Sequence, residues 1–284
     1  MSLSARSSYP DVIKVYVSAD MEGIAGVTGP EQLRPEGFEY QQFREFMTAE
    51  VNAAIEGARD AGATEFVVSD SHGTGLNLLI DKLPQDIQLV RSWPRPLGMM
   101  EGIDDSFAAA VFIGYHAGAS NVGGIVAHTV SSKAFLSIRI NEKEMSEGGI
   151  NALIAGYFGV PVVMISGDEA AVCEVSDMVG PIEKAIVKWS YSHSSCRTMM
   201  PAAAQALIRE KVRAGLDRRR ELNPFRMKGS LILDLAYKNA EAAEVIAYLP
   251  NVELIDNRTV RFVGSIIEIS MFLEMACVYP STMT

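Results

Sequence analysis

Three apolar runs in this chain end alike, in side chains able to hold a metal and then a glycine. They are Val17-Ser18-Ala19-Asp20-Met21-Glu22-Gly23, Val67-Val68-Ser69-Asp70-Ser71-His72-Gly73 and Phe112-Ile113-Gly114-Tyr115-His116-Ala117-Gly118. Continuous apolar runs are what strands buried on both faces look like, and such strands belong to parallel sheets covered by helices. Parallel strands deliver their ends to one rim, where loops converge on ligands. The repetition therefore predicts an α/β sheet with carboxylates and imidazoles gathered at one edge, a donor set suited to a metal centre.

The segments between the runs agree. Residues 12–17 read as a strand, and residues 38–61 as a helix in which Phe43, Met47, Val51, Ala54 and Ile55 recur at helical spacing before Gly62 stops it. A strand at 65–68 completes a βαβ unit, for which a right-handed parallel crossover is the strong default. Strands at 87–90, 109–113 and 161–165 continue the alternation, broken by Pro94 and Pro96 before a short helical stretch at 99–103. Residues 135–140 alternate as an antiparallel or edge strand does. Helices are expected at 146–158 and 169–178, the second capped by Asp168. After Trp189 the chain turns polar over 190–198, then shows a basic amphipathic helix at 201–215, strands at 231–235 and 259–263, and helices at 239–248 and 265–279. The expected fold class is α/β, a layered and mostly parallel sheet with flanking helices, plus a smaller C-terminal α+β domain. Residues 12–190 form the metal-binding catalytic domain in this reading, and 191–284 a structural or oligomerisation domain.

Composition excludes several functions. The 25 Lys and Arg against 35 Asp and Glu leave a net charge of −10, and the one basic cluster is Arg218-Arg219-Arg220, so no nucleic-acid partner is expected. No stretch approaches the ~20 apolar residues of a membrane span. Residues 1–10 lack the apolar core of a secretory signal, and Cys173, Cys196 and Cys277 form no C-x-x-C pair, which suits a reducing cytoplasm. Gly23, Gly26 and Gly29 do not make a dinucleotide fingerprint, and no P-loop occurs.

Asp20 and Glu22 sit two apart, so a persisting strand would project both to one side. Carboxylates placed so repel unless a cation or proton lies between them; the plain alternative is a turn residue and a surface charge. Asp70 either orients the His72 imidazole or caps the next element. His116 lies between Gly114 and Gly118. His128, in Gly123-Gly124-Ile125-Val126-Ala127-His128, is a fifth ligand, a proton carrier, an oxyanion stabiliser or a loop residue. Glu147 stands at a helix start, where a carboxylate also suits the helix dipole. Three of the four histidines, His72, His116 and His128, fall in the N-terminal half, which favours one shared centre over separate ordinary roles. His193 reads as a surface residue and Lys133 as a solvated or substrate-steering charge.

Together these residues carry a resemblance. Ser18-Ala19-Asp20-Met21-Glu22-Gly23 resembles the S-x-D-x-E-G motif of the D-aminopeptidases of the dipeptide-transport type, the M55 metallopeptidases. The likeness continues through Asp70-Ser71-His72, Gly114-Tyr115-His116-Ala117, the glycine-rich approach to His128, Gly148-Gly149-Ile150-Asn151-Ala152 after Glu147, and Gly167-Asp168. The resemblance implies two zinc ions per chain: Asp20 bridging, Glu22 and His116 completing one ion, His72 and Glu147 the other, and His128 as the catalytic histidine. It also implies a short peptide substrate with an N-terminal D-residue, and a ring-shaped homo-oligomer, a decamer, with its active sites facing an inner chamber. Two departures, a slightly longer loop between His116 and His128 and Gly118 where a basic residue is expected, bear on substrate preference. The rival expectations are a dinuclear hydrolase of another amide, ester or phosphoester, and a metal-stabilised assembly protein without catalysis.

Overall fold

A computed structural model describes residues 12–281; the readings made on residues 1–10 lie outside them. In chain order the elements are β1 (Lys14–Ala19), α1 (Pro30–Leu33), α2 (Tyr40–Asp60), β2 (Glu65–Asp70), β3 (Gln88–Val90), β4 (Ala109–Tyr115), β5 (Phe135–Ile140) and β6 (Lys143–Glu144). There follow α3 (Glu147–Tyr157), β7 (Val162–Asp168), α4 (Glu169–Val179), β8 (Glu183–Ser192), β9 (Ser195–Thr198), α5 (Pro201–Asp217), β10 (Leu231–Tyr237), α6 (Ala240–Ile246), β11 (Val252–Leu254), β12 (Thr259–Gly264) and α7 (Ile266–Ser281).

The main sheet has the order β3-β2-β1-β4-β7-β8-β9, parallel throughout except for the antiparallel β8–β9 hairpin. Every residue of β4 and β7 is buried, which explains their unbroken apolar character: both faces are covered. Helices α2 and α5 pack on each other and on the sheet, and α3 and α4 form a second pair against β4 and β7. Asp168 closes the β7–α4 junction as expected, its carboxylate accepting the Ala171 N–H at 3.0 Å.

The second sheet is antiparallel, in the order β11-β12-β10-β5-β6. Its strand β5 comes from the middle of the chain and pairs with β10, Ile138 opposite Leu235. The two sheets are thus interleaved along the sequence. A cut at residue 190 would run through β8 and part α5 from α2. The polar stretch at 190–198 forms the end of β8 and the edge strand β9, and β8 has no clear sequence signal because Lys188, fully buried, interrupts its apolar pattern. Among the described residues no helix is long and apolar enough to cross a membrane.

Candidate metal centre

Register sets the site. Ala19 at the end of β1 is level with Asp70 on β2 and with Ile113 on β4, so the three junctions leave the sheet on one rim. β1 lies between the other two. After β1 the chain moves outward to β2 and β3, then returns to the other side of β1 as β4. That reversal is a topological switch point, where loops diverge and leave a crevice.

The Asp20–Val27 segment is a turn, not a continued strand, so Glu22 reaches the site by a different route from the one its spacing suggests. Two glycines make the turn possible. Gly23 donates its N–H to Gly114 O at 2.7 Å, and a Cβ on Gly23 would sit 2.0 Å from Tyr115 O. Gly114 has φ +69°, the left-handed region that glycine tolerates, and a Cβ there would meet Asp20 O at 2.3 Å. Buried Lys188 braces the same turn from below, donating to Val27 O at 2.8 Å and to Glu22 O. Glu50 accepts the Ala25 N–H at 3.0 Å. Neither residue was singled out from sequence; a lone lysine or glutamate in an apolar pattern gives no warning of a buried backbone contact.

Six side chains meet at the rim. His72 Nδ1 lies 2.8 Å from Glu22 Oε2 and 3.5 Å from Asp20 Oδ1. His116 Nε2 lies 3.4 Å from Asp20 Oδ2 and 3.3 Å from Glu147 Oε1. His128 stacks on His116 with ring centroids 4.1 Å apart, its Nε2 3.9 Å from Glu22 and 3.8 Å from Glu147. All but His128 are buried. The donors sort into two groups, Asp20 with Glu22 and His72, and His116 with His128 and Glu147. This differs from the pairing the resemblance implied, which set Glu22 with His116 and His72 with Glu147. β2 and β4 lie on opposite sides of β1, the Glu22 carboxylate lies against His72 after β2, and α3 packs against β4 and carries Glu147 to His116. Asp70 does not touch the His72 ring. Its carboxylate accepts the N–H groups of Asn77 and Leu78 at 2.6 and 2.7 Å, closing the loop after His72.

Each imidazole has one nitrogen committed to a backbone carbonyl. His72 Nε2 faces Leu33 O at 2.8 Å, His116 Nδ1 faces Ala117 O at 3.0 Å and His128 Nδ1 faces Val126 O at 2.9 Å. A carbonyl only accepts, so those nitrogens carry the proton, and the neutral tautomer points a lone pair at the carboxylates. Lone pairs facing carboxylates are unfavourable unless a cation or proton intervenes. Asp20 Oδ2 and His116 Nε2 are fully buried and without a hydrogen-bond partner. Burial first and Glu22 second push the Asp20 carboxyl up to about 8. Burial opposes charge on His72 and His116, yet Glu22 and Asp20 hold the first, and Glu147 and Asp20 the second, well above the ordinary histidine range. His128 goes the other way, lowered by burial and then by His116. Mixed N/O donors, orphaned atoms facing each other and an excess of negative charge fit a divalent cation in each group.

The cluster forms one end of a cavity of about 550 Å³ whose walls include Trp93, Leu97, Met99, Ile150 and Ile154. Buried metal-type donors at the switch point of a parallel sheet, opening on a partly apolar cavity, define a metallohydrolase. A family model described as D-aminopeptidase, Peptidase M55, matches residues 13–274. The chain belongs to the M55 peptidase family. It is 34% identical over 245 residues to the D-aminopeptidase of Bacillus subtilis (strain 168), covering 85% of this chain and 88% of that one. A solved structure titled "Zn-dependent D-aminopeptidase DppA from Bacillus subtilis, a self-compartmentalizing protease" superposes with a TM-score of 0.89 at 32% identity, over 93% of this chain and 96% of that chain.

Proposed function

We propose that this protein is a dinuclear zinc aminopeptidase that removes a D-configured N-terminal residue from short peptides. The observation that carries the reading is Asp20, whose two oxygens are aimed one at each of two buried histidines whose other nitrogens are already committed to backbone carbonyls. Asp20, Glu22 and His72 would hold one ion, and Asp20, His116 and Glu147 the other; zinc there would supply Lewis acidity and lower the pKa of water.

The chain's own residues do the rest. His128 is the most exposed of the three imidazoles, with its side chain at 17%, and lies farthest from the carboxylates, which suits proton handling better than a structural role. Its Nδ1–H donates to Val126 O and its ring is held neutral, so the bare Nε2 accepts a proton from the attacking water and returns it to the leaving amine. Glu147 takes the Val130 N–H at 2.7 Å, tying the His128 loop to the start of α3. The apolar wall receives the substrate side chain.

A metal centre with a structural role alone would have closed coordination; five candidate ligands and His128 lining an open cavity favour catalysis. Assembly into a ring-shaped homo-oligomer, a decamer, is the finer part of the reading, supported by the relative described as self-compartmentalizing and by exposed Met271, Met275 and Val278 on α7. A cytoplasmic setting suits three free cysteines. Turnover of D-Ala-D-Ala should vanish on chelation, return with zinc, fall at least 10³-fold in His116→Ala and exceed that of L-Ala-L-Ala. Turnover indifferent to chelator and to His116→Ala would sink the reading.

A further inference from the structure

We infer that Lys133 is the anchor for the free carboxylate at the C-terminal end of the substrate, and so sets a preference for very short, unblocked peptides. The inference rests on the aminopeptidase reading and concerns the far end of the same cavity.

The charge around the cavity poses the problem. Asp20, Glu22, Glu147 and Glu274 all line it, and among the described residues the only lysine or arginine that does is Lys133. A short peptide with two free ends brings an ammonium and a carboxylate. In the zinc-loaded site the donor carboxylates are matched by the ions, so the substrate's carboxylate, farther along the cavity, needs a cation of its own. Lys133 is exposed, and among the described residues its side chain forms no hydrogen bond or ion pair, which leaves its ammonium available to a ligand in the cavity.

Its backbone is held while its side chain is free. Phe135 N–H donates to Ser131 O at 3.1 Å and Ala134 N–H to Ser131 Oγ at 3.2 Å, forming a tight turn with Lys133 inside it. Lys238 ties that turn to the second sheet, its Nζ donating to Ser132 O at 2.6 Å and its N–H to Ala134 O at 2.8 Å. Three residues earlier, Val130 donates to Glu147. Three residues span at most about 10 Å, so the turn is leashed to the metal-type donors at a distance of two or three extended peptide units of ~3.5 Å each. A carboxylate one or two residues beyond the scissile bond falls in that range; a longer peptide overshoots it. Pairing of a carboxylate with an exposed ammonium is worth about threefold to fivefold in binding.

The test compares D-Ala-D-Ala with its C-terminal amide, D-Ala-D-Ala-NH2, on the zinc-loaded protein. The wild type should favour the free acid by about threefold to fivefold in kcat/KM, carried by KM. Lys133→Ala should bring that ratio close to one, Lys133→Arg should retain it, and Lys133→Glu should invert it. Calorimetric binding of a non-cleavable phosphinic D-Ala-D-Ala isostere and of its C-terminal methyl ester reads the same preference without turnover. An acid-to-amide ratio unchanged in Lys133→Ala and Lys133→Glu, with both substrates cleaved, overturns the anchor and leaves the aminopeptidase reading intact. Cleavage of neither substrate by the wild type removes both.

Discussion

Replacing Gly23 by alanine tests the construction of the site with one methyl group. The added Cβ would lie 2.0 Å from Tyr115 O and 2.3 Å from Gly114 C, both backbone atoms at the end of β4, so no rotamer change relieves the clash. An ordinary contact starts near 3.4 Å, and the β1 turn and the β4 end must separate by about 1.4 Å. That movement acts directly on the donors, because Glu22 adjoins Gly23 and His116 adjoins Tyr115. Ligand positions matter within about 0.2 Å for metal binding, and a misplacement near 1 Å costs about 10²-fold in rate.

Overpacking of this kind costs about 1–3 kcal/mol, so Gly23→Ala should still fold while losing function. Urea unfolding should show that loss, metal analysis should show less zinc per chain, and kcat/KM for D-Ala-D-Ala should fall by about 10² or more. Gly29→Ala is the control. A Cβ there meets nothing within 4 Å, φ is −177°, and its cost at the start of α1 is about 1 kcal/mol or less with zinc retained. A Gly23→Ala protein with full zinc content and full turnover would refute the argument that the two junctions are held in mutual register by that glycine.

Three further outcomes are expected. In the metal-free chain Asp20 titrates near 8 and His72 and His116 are raised, so binding zinc at pH 7 displaces roughly one or more protons per chain. Zinc affinity should therefore rise between pH 6 and 8, seen as a buffer-dependent calorimetric enthalpy; a pH-independent affinity counts against the donor set. The sign for stability follows: the raised imidazoles stabilise the metal-free fold at low pH and lose that contribution as pH rises, while ionising Asp20 adds a cost between about pH 4 and 8. Glu50, pushed up to about 7 by burial, costs stability above its unfolded value, so Glu50→Gln should gain roughly 2–3 kcal/mol at pH 8 over its effect at pH 5 in urea titrations. Lys188→Met leaves the carbonyls of Glu22 and Val27 without their buried donor and should cost about 2–5 kcal/mol in the same assay.

Much of the parallel sheet was legible because its strands are buried on both faces and read as apolar runs; β1, β2, β4 and β7 appear within a few residues of their expected places. The second sheet was legible as separate strands but not as a unit, because the pairing of β5 with β10 joins residues about a hundred positions apart and leaves no local trace. At the site, His72 and His116 were conspicuous because each follows a buried strand directly. Glu22 was conspicuous too, though it arrives by a turn that Gly23 permits rather than by strand alternation. Lys188 and Glu50 were invisible, since their work is done on backbone atoms. Which donors lie side by side has no trace in motif order, Asp20, Glu22, His72, His116, Glu147, because proximity depends on which side of β1 each neighbouring strand lies.

That dependence on strand order accounts for the central place of Asp20. With β2 on one side and β4 on the other, β1 is the one strand whose end faces both histidine-bearing junctions, so a carboxylate there can give one oxygen to each. Moving the aspartate to the end of β2 or β4 would put it next to one histidine and beyond β1 from the other. Sheets place neighbouring strands about 4.8 Å apart, so an end-to-end span across two strands is near 10 Å, too wide for a single carboxylate to bridge unless it stands in the middle. The shared carboxylate is thus a consequence of topology: a chain that goes out to β3 and returns as β4 makes its first strand the centre, and the residue after that strand the only place from which two metal-type groups can be joined.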